Sequence, residues 1–214
     1  MFDVHTHHLP ENPSEVLFSC CMKDRETAAF RRARYLSAGI HPWYLTEEDM
    51  NRQLEWLDNL SVTDSSRLLA LGEAGLDKCC PTPYVLQLAA FREVINRSEQ
   101  FQLPLLIHCV KAFNELVRLR KEQTYQQVWI IHGFRGKREL ATELLRHGFY
   151  LSFGKHFHPE ALAIVPADRL LLETDECGTS VKEIYEQAAL VRKTGIDELA
   201  ESIDRNINSL FFSR

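Results

Sequence analysis

Short apolar runs punctuate the chain at intervals: "FDV", "EVLFSCC", "RYLSAGI", "RLLALGEAG", "LPLLIHC", "QVWIIHG", "FYLSFG" and "RLLLETD". Several lack the polar alternation of a half-exposed strand, which is the pattern of strands buried on both faces. Between the later runs the apolar positions change to helical spacing. Tyr84, Leu88, Phe91 and Ile95 share one stripe, as do Phe113, Leu116 and Val117, then Leu140 and Leu144. Val181, Ile184, Tyr185 and Ala188 continue the pattern, and Leu199, Ile203, Ile207 and Leu210 close it. Eight strands alternating with helices predict parallel βα units, an α/β chain closed into a (β/α)8 TIM-type barrel, with an open doubly wound sheet as the competing arrangement.

The barrel is expected to be compact, since the chain has 214 residues and about 250 is typical of the fold. The economy falls at the start. "LPENPSE", between the first two runs, has two prolines and no helical stripe, so the first βα unit is expected to be reduced. No repeat, low-complexity tract or Gly/Ser linker divides the sequence, which predicts a single domain over 1–214.

Polar residues recur where the apolar runs end. His5 and His7 finish the first run, His41 the third, Glu73 the fourth, His108 the fifth, His132 the sixth and Asp175 the eighth. In a parallel barrel these ends meet on one face, where such folds assemble their active sites. Any one of them taken alone is better explained as a buried, hydrogen-bonded side chain or a helix cap. Six or seven at corresponding ends make a cluster.

Four histidines with two carboxylates exceed what a single catalytic ion takes, which is about three protein ligands plus water. Two divalent ions use the set well. Glu73 is then the bridge, with His5, His7 and Asp175 at one ion and His108 and His132 at the other. The mixed nitrogen and oxygen donors suit zinc, manganese, magnesium or iron without selecting among them.

Composition narrows the picture. A net charge of −5 argues against a broadly basic nucleic-acid-binding surface but is compatible with a local cationic groove. Cys20 and Cys21 are adjacent, as are Cys79 and Cys80, and no Cys-x-x-Cys pair occurs, so reduced thiols are expected rather than disulfides or structural zinc. No run reaches the length of a membrane span and the N-terminus lacks a secretory pattern, which together predict a cytoplasmic protein with no membrane partner.

Together, "FDVHTHH", "GIHP", "GEAGLD", "LPLLIHC", "IIHGF", "YLSFG", "LLLETD" and "NINSLFF" resemble the TatD family of metal-dependent deoxyribonucleases, within the metallo-dependent hydrolase superfamily. The resemblance implies a two-metal barrel that hydrolyses phosphodiester bonds in DNA. It carries the metal-ligand role to His5, His7, Glu73, His108, His132 and Asp175. It also places His41 near the substrate phosphate and gives Asp175 a second task, orienting or deprotonating the attacking water. The catalytic group is thus Asp175, Glu73 and His41.

The chain departs from the family pattern in places. An arginine usual two residues after the histidine matched by His108 is replaced by Val110, followed by Lys111, and "ETDECGTS" lacks a proline common after the aspartate. The stretch before "GIHP" is also short. These changes spare the ligands and bear on substrate choice. Lys111, Arg135 and Lys155 follow strands five to seven and are the candidate phosphate-binding cations, whereas Lys137 and Arg138 read as helix-surface charges.

The leading reading is a hydrolase cleaving single-stranded or frayed DNA, possessing either exonuclease or endonuclease character. An ester or amide hydrolase, such as an aminoacyl-tRNA deacylase, uses the same ligands; cyclic-amide hydrolases of the superfamily often carry a carboxylated lysine as bridge, where this chain has Glu73. A noncatalytic binding barrel would show lost ligands, and none is missing. His8, by strand parity, is expected to face away. His147 suits a helix C-terminus, His156 and His158 a loop, and Cys109 the barrel wall. Trp43 and Tyr44 are either base-stacking platforms or a loop plug.

Overall fold

In the computed structural model, which describes residues 1–213, all eight apolar runs are strands of one parallel sheet. They are β1 (Asp3–Thr6), β2 (Val16–Cys20), β3 (Tyr35–Ala38), β4 (Leu68–Asp77), β5 (Leu105–Val110), β6 (Trp129–Ile131), β7 (Tyr150–Phe153) and β8 (Leu170–Leu172). Each pairs with its sequence neighbour. The circle is closed by backbone at the top of β1: the Asp175 N–H donates to the His5 carbonyl at 2.9 Å and the His7 N–H to the Asp175 carbonyl at 3.2 Å. This is the expected (β/α)8 barrel.

The helices are α1 (Ala28–Arg32), α2 (Met50–Thr63), α3 (Tyr84–Phe101), α4 (Phe113–Glu122), α5 (Arg138–Arg146), α6 (Pro159–Ile164), α7 (Val181–Arg192) and α8 (Ile196–Ile207). The five apolar stripes fall on α3, α4, α5, α7 and α8. No helix follows β1; only a three-residue turn, Pro13–Glu15, stands there. Its proline fixes φ, and Asn12 accepts the Ser14 N–H, so the backbone is committed to a turn before a helix can nucleate.

Packing compensates at the bottom of the barrel. The last described turn brings Phe212 against Phe2 and Tyr35, with ring centroids 6.2 and 5.0 Å apart, and the α7 residue Tyr185 donates its hydroxyl to the Phe2 carbonyl at 3.0 Å. On the opposite wall the fully buried Trp129 packs between Phe91 of α3 and Phe149. Burying such aromatic side chains stabilises a fold by roughly 1.5–3 kcal/mol each.

Two features place the top of β4. Gly72 has φ +137°, and a Cβ there would stand 2.3 Å from the Leu106 carbonyl oxygen of β5. Glycine is therefore required for β4 and β5 to approach at the point where Glu73 enters the barrel mouth. Gly72→Ala is expected to destabilise the protein by about 2–3 kcal/mol, seen as a melting temperature lower by roughly 5–10 °C; an unchanged melting curve would show that the strands can part there at no cost.

Candidate metal centre

Every strand-end residue singled out in the sequence reaches one site, because each lies in the C-terminal half of its strand or just beyond it, Glu73 four residues before the end of β4. Glu73 is at the middle of that site, 6% exposed. Its two carboxylate oxygens face different partners. Oε2 lies 3.5 Å from His5 Nε2 and 3.3 Å from His7 Nε2, and both imidazoles lie 3.7–3.8 Å from Asp175 Oδ1. Oε1 lies 2.7 Å from His108 Nδ1, 2.8 Å from His132 Nε2 and 3.1 Å from His41 Nε2.

Electrostatics follow from this crowding. Burial disfavours charge on Glu73, but His132 and hydrogen bonds from His108, His132 and His41 hold its carboxyl well below the usual range. Burial likewise opposes protonation of His132, yet Glu73 and Glu173 lift it well above an ordinary imidazole. His7 is raised too: its burial is outweighed by Glu73 and Asp175.

The donor set fits divalent metal. Both ring nitrogens of the fully buried His5 lack a hydrogen-bond partner, an expensive arrangement for a polar group unless something else is bound there. Ligand atoms of His5, His7 and Asp175 lie within 4.8 Å of one another, and so do those of His5, Glu73 and His132. Such spacing lets three donors converge on one ion.

Outer carboxylates orient two of the rings. His108 directs its Nε2 toward Asp77 Oδ2 at 3.3 Å, leaving Nδ1 toward Glu73. His132 directs Nδ1 toward Glu173 Oε1 at 3.3 Å, leaving Nε2 inward. Glu173 is itself fixed by the Gly133 N–H at 2.6 Å and by the Ser152 hydroxyl. A carboxylate behind an imidazole sets its tautomer and makes it a better ligand. A third acid, Asp3, accepts from the Thr174 N–H at 3.0 Å and hydroxyl at 2.6 Å, tying β1 to the segment that carries Asp175. Burial pushes its carboxyl up to about 7, against the hydrogen bonds from Thr174.

Asp77, Glu173 and Asp3 were not picked out from the sequence. The parity of the strands held a signal for two of them. Asp77 is four residues beyond Glu73 and Glu173 two before Asp175, so each repeats the direction of a site residue.

His41 is built differently. Its Nδ1 accepts the Trp43 N–H at 3.1 Å, so the neutral ring carries its proton on Nε2, the atom facing Glu73. That nitrogen is a donor, suited to an anionic oxygen rather than to a cation. Burial lowers its basicity despite Glu73, which keeps it neutral.

The candidate cations separate. Arg135 and Lys155 line a crevice, together with His156, that shares Asp175 and Glu176 with the main cavity. Lys111 sits in a left-handed turn after β5, φ +55°, exposed and outside that cavity. His8 is exposed and His147 caps the end of α5, as expected. His158 precedes α6 and Cys109 lies half-buried on β5; all six cysteines are unpaired. Among the described residues, no helix is long and apolar enough to cross a membrane.

Glu173→Gln is expected to weaken metal affinity roughly 10- to 100-fold by loosening His132; calorimetric titration with manganese checks this, and equal affinity would remove Glu173 from the site. A metal held by His7 and His132 would have to displace protons from them, so affinity of the unaltered protein is expected to fall on acidification below neutrality. A flat pH profile in the same titration would contradict that assignment.

Comparison with known proteins identifies the family. The model of the family described as "TatD related DNase" matches residues 23–212. A metal-dependent hydrolase of Bacillus subtilis, YabD, is 32% identical over 203 residues, covering 83% of this chain and 77% of its own. The 3'-5' ssDNA/RNA exonuclease TatD of Erwinia amylovora is 26% identical over 209 residues, covering 82% of this chain and 77% of its own. The fold of a TatD family hydrolase from Entamoeba histolytica superposes with a TM-score of 0.84 at 17% identity, over 100% of this chain and 98% of that one. The eight-stranded barrel, the converging histidines and the family match together place the chain in the TatD family of metal-dependent hydrolases.

Proposed function

We propose that this hydrolase binds two divalent cations and cleaves phosphodiester bonds in single-stranded or frayed DNA. The observation that carries the reading is the division of Glu73, one oxygen toward His5 and His7, the other toward His108 and His132. His5, His7 and Asp175 would hold one ion and His108 and His132 the other, with Glu73 shared between them. Bound divalent metal supplies Lewis acidity and a lowered pKa for water.

The chain's own residues do the rest. Asp175 has its side chain 28% exposed to the cavity and its backbone in the left-handed region, φ +58°, while its N–H and C=O are pinned to His5 and His7. It is thereby aimed at the position where water meets substrate, where it orients the nucleophile and accepts its proton. His41, neutral with its proton on Nε2, donates to a phosphoryl oxygen as negative charge builds there. Asp77 and Glu173 hold the ligand rings still. Arg135 and Lys155 attract the polyanion from the neighbouring crevice.

The choice of DNA rests on the family and on the printed activity of the Erwinia relative. Asp175→Asn is expected to lower cleavage of a labelled single-stranded oligonucleotide by at least about 100-fold, with the fold retained by circular dichroism and the wild-type reaction abolished by EDTA. Near wild-type turnover by the variant would refute the role of Asp175. A wild-type protein that binds metal but cleaves no oligonucleotide with magnesium or manganese would refute the nuclease reading and move the search to acyl esters.

A further inference from the structure

A polyanionic substrate needs cations beside the scissile phosphate, and Lys111, the lysine that follows β5, lies outside the cavity. The cavity, of about 260 Å³, has one lysine or arginine among its lining residues, Lys23. It belongs to the turn Met22–Asp24 that directly follows β2.

Lys23 is held in place without being neutralised. Its ammonium lies 3.4 Å from the centroid of the Tyr44 ring, and it makes no ion pair among the described residues. Of the neighbouring Asp24 carboxylate, Oδ2 accepts from the Cys21 N–H at 2.9 Å and thiol at 3.2 Å. A cation on an aromatic face keeps its N–H donors for another partner.

Beside it stands Trp43. Its indole N–H donates to Asp77 at 2.7 Å, which fixes the ring, yet the residue is 55% exposed and Tyr44 is 44% exposed. These are not plugs. They are fixed aromatic faces at the mouth of the cavity, the kind on which an unpaired base stacks. Beyond Lys23 and Tyr44, which form a shared wall, a second crevice contains Arg25. On the other flank, across Asp175 and Glu176, lies the crevice of Arg135 and Lys155. Three contiguous depressions thus place cations on both sides of the metal ligands.

Resting on the nuclease reading above, we propose that Lys23, seated on Tyr44 and beside Trp43, is the specificity-determining group that binds the phosphate next to the scissile one, with the intervening unpaired base against Trp43. The subsite selects an oligonucleotide single strand over an isolated phosphoester.

The test compares wild type, Lys23→Ala and Lys23→Arg, with manganese, on a labelled single-stranded DNA tetranucleotide. Binding is measured in parallel on the Asp175→Asn protein, with and without each Lys23 substitution, as a function of salt. Lys23→Ala is expected to raise KM roughly tenfold with little change in kcat, and to reduce the slope of log affinity against log salt by about 0.7; Lys23→Arg restores both. Cleavage by wild type with KM and salt slope unmoved in Lys23→Ala would overturn this subsite and leave the nuclease reading standing. Failure of wild type to cleave the oligonucleotide overturns the nuclease reading and leaves the salt slope to decide on Lys23; failure to bind it as well overturns both.

Discussion

One carboxylate, Glu73, organises the top of this barrel. An ionised acid 6% exposed is tolerated only where hydrogen bonds and positive charge compensate it, and the imidazoles of β1, β3, β5 and β6 or their ends crowd around it, with His7 and His132 raised above an ordinary imidazole. The strands cannot be shifted in register without leaving either the acid or a histidine unmatched. The same charge that makes the centre costly when empty of positive charge makes it a strong host for divalent cations. Fold specificity and metal chemistry share one cause here.

The ends of the chain complete the arrangement. Asp175 joins the site because its backbone pairs with His5 and His7 across the seam between first and last strands, and Asp3 reinforces that seam through Thr174. Barrel closure and site assembly are therefore a single event: a chain with the seam open would hold His5 and His7 apart from Asp175. The missing first helix is tolerated because the C-terminal Phe212 packs against Phe2 and Tyr35 at the opposite end of the barrel, away from the chemistry. At the top, the turn after β2 carries Lys23 at the cavity wall.

Much of the barrel was legible beforehand. The eight runs were visible because strands of a parallel barrel are covered on both faces, so their sequences are continuous apolar stretches with polar residues only at the ends. The stripes of α3, α4, α5, α7 and α8 were visible because one face of each helix is buried, whereas α1 and α6, with five and six residues, are too short to show a period. Asp77 and Glu173 escaped notice because nothing in a single strand says which acid is a ligand and which stands behind one. That distinction is a matter of a few ångströms between side chains from different strands.

Sequence by itself determined the alternation of strand and helix, the absence of a first helix at its two prolines, and the set of histidines and acids at strand ends, since these depend on local periodicity and on residue type. Only the tertiary structure decided that the two oxygens of Glu73 face separate partners, that His41 presents a donor rather than a lone pair, that Lys111 stands outside the cavity and that Lys23 lines it. Each of these depends on which strand ends the closure of the barrel brings together, and that closure joins residues nearly the full length of the chain apart.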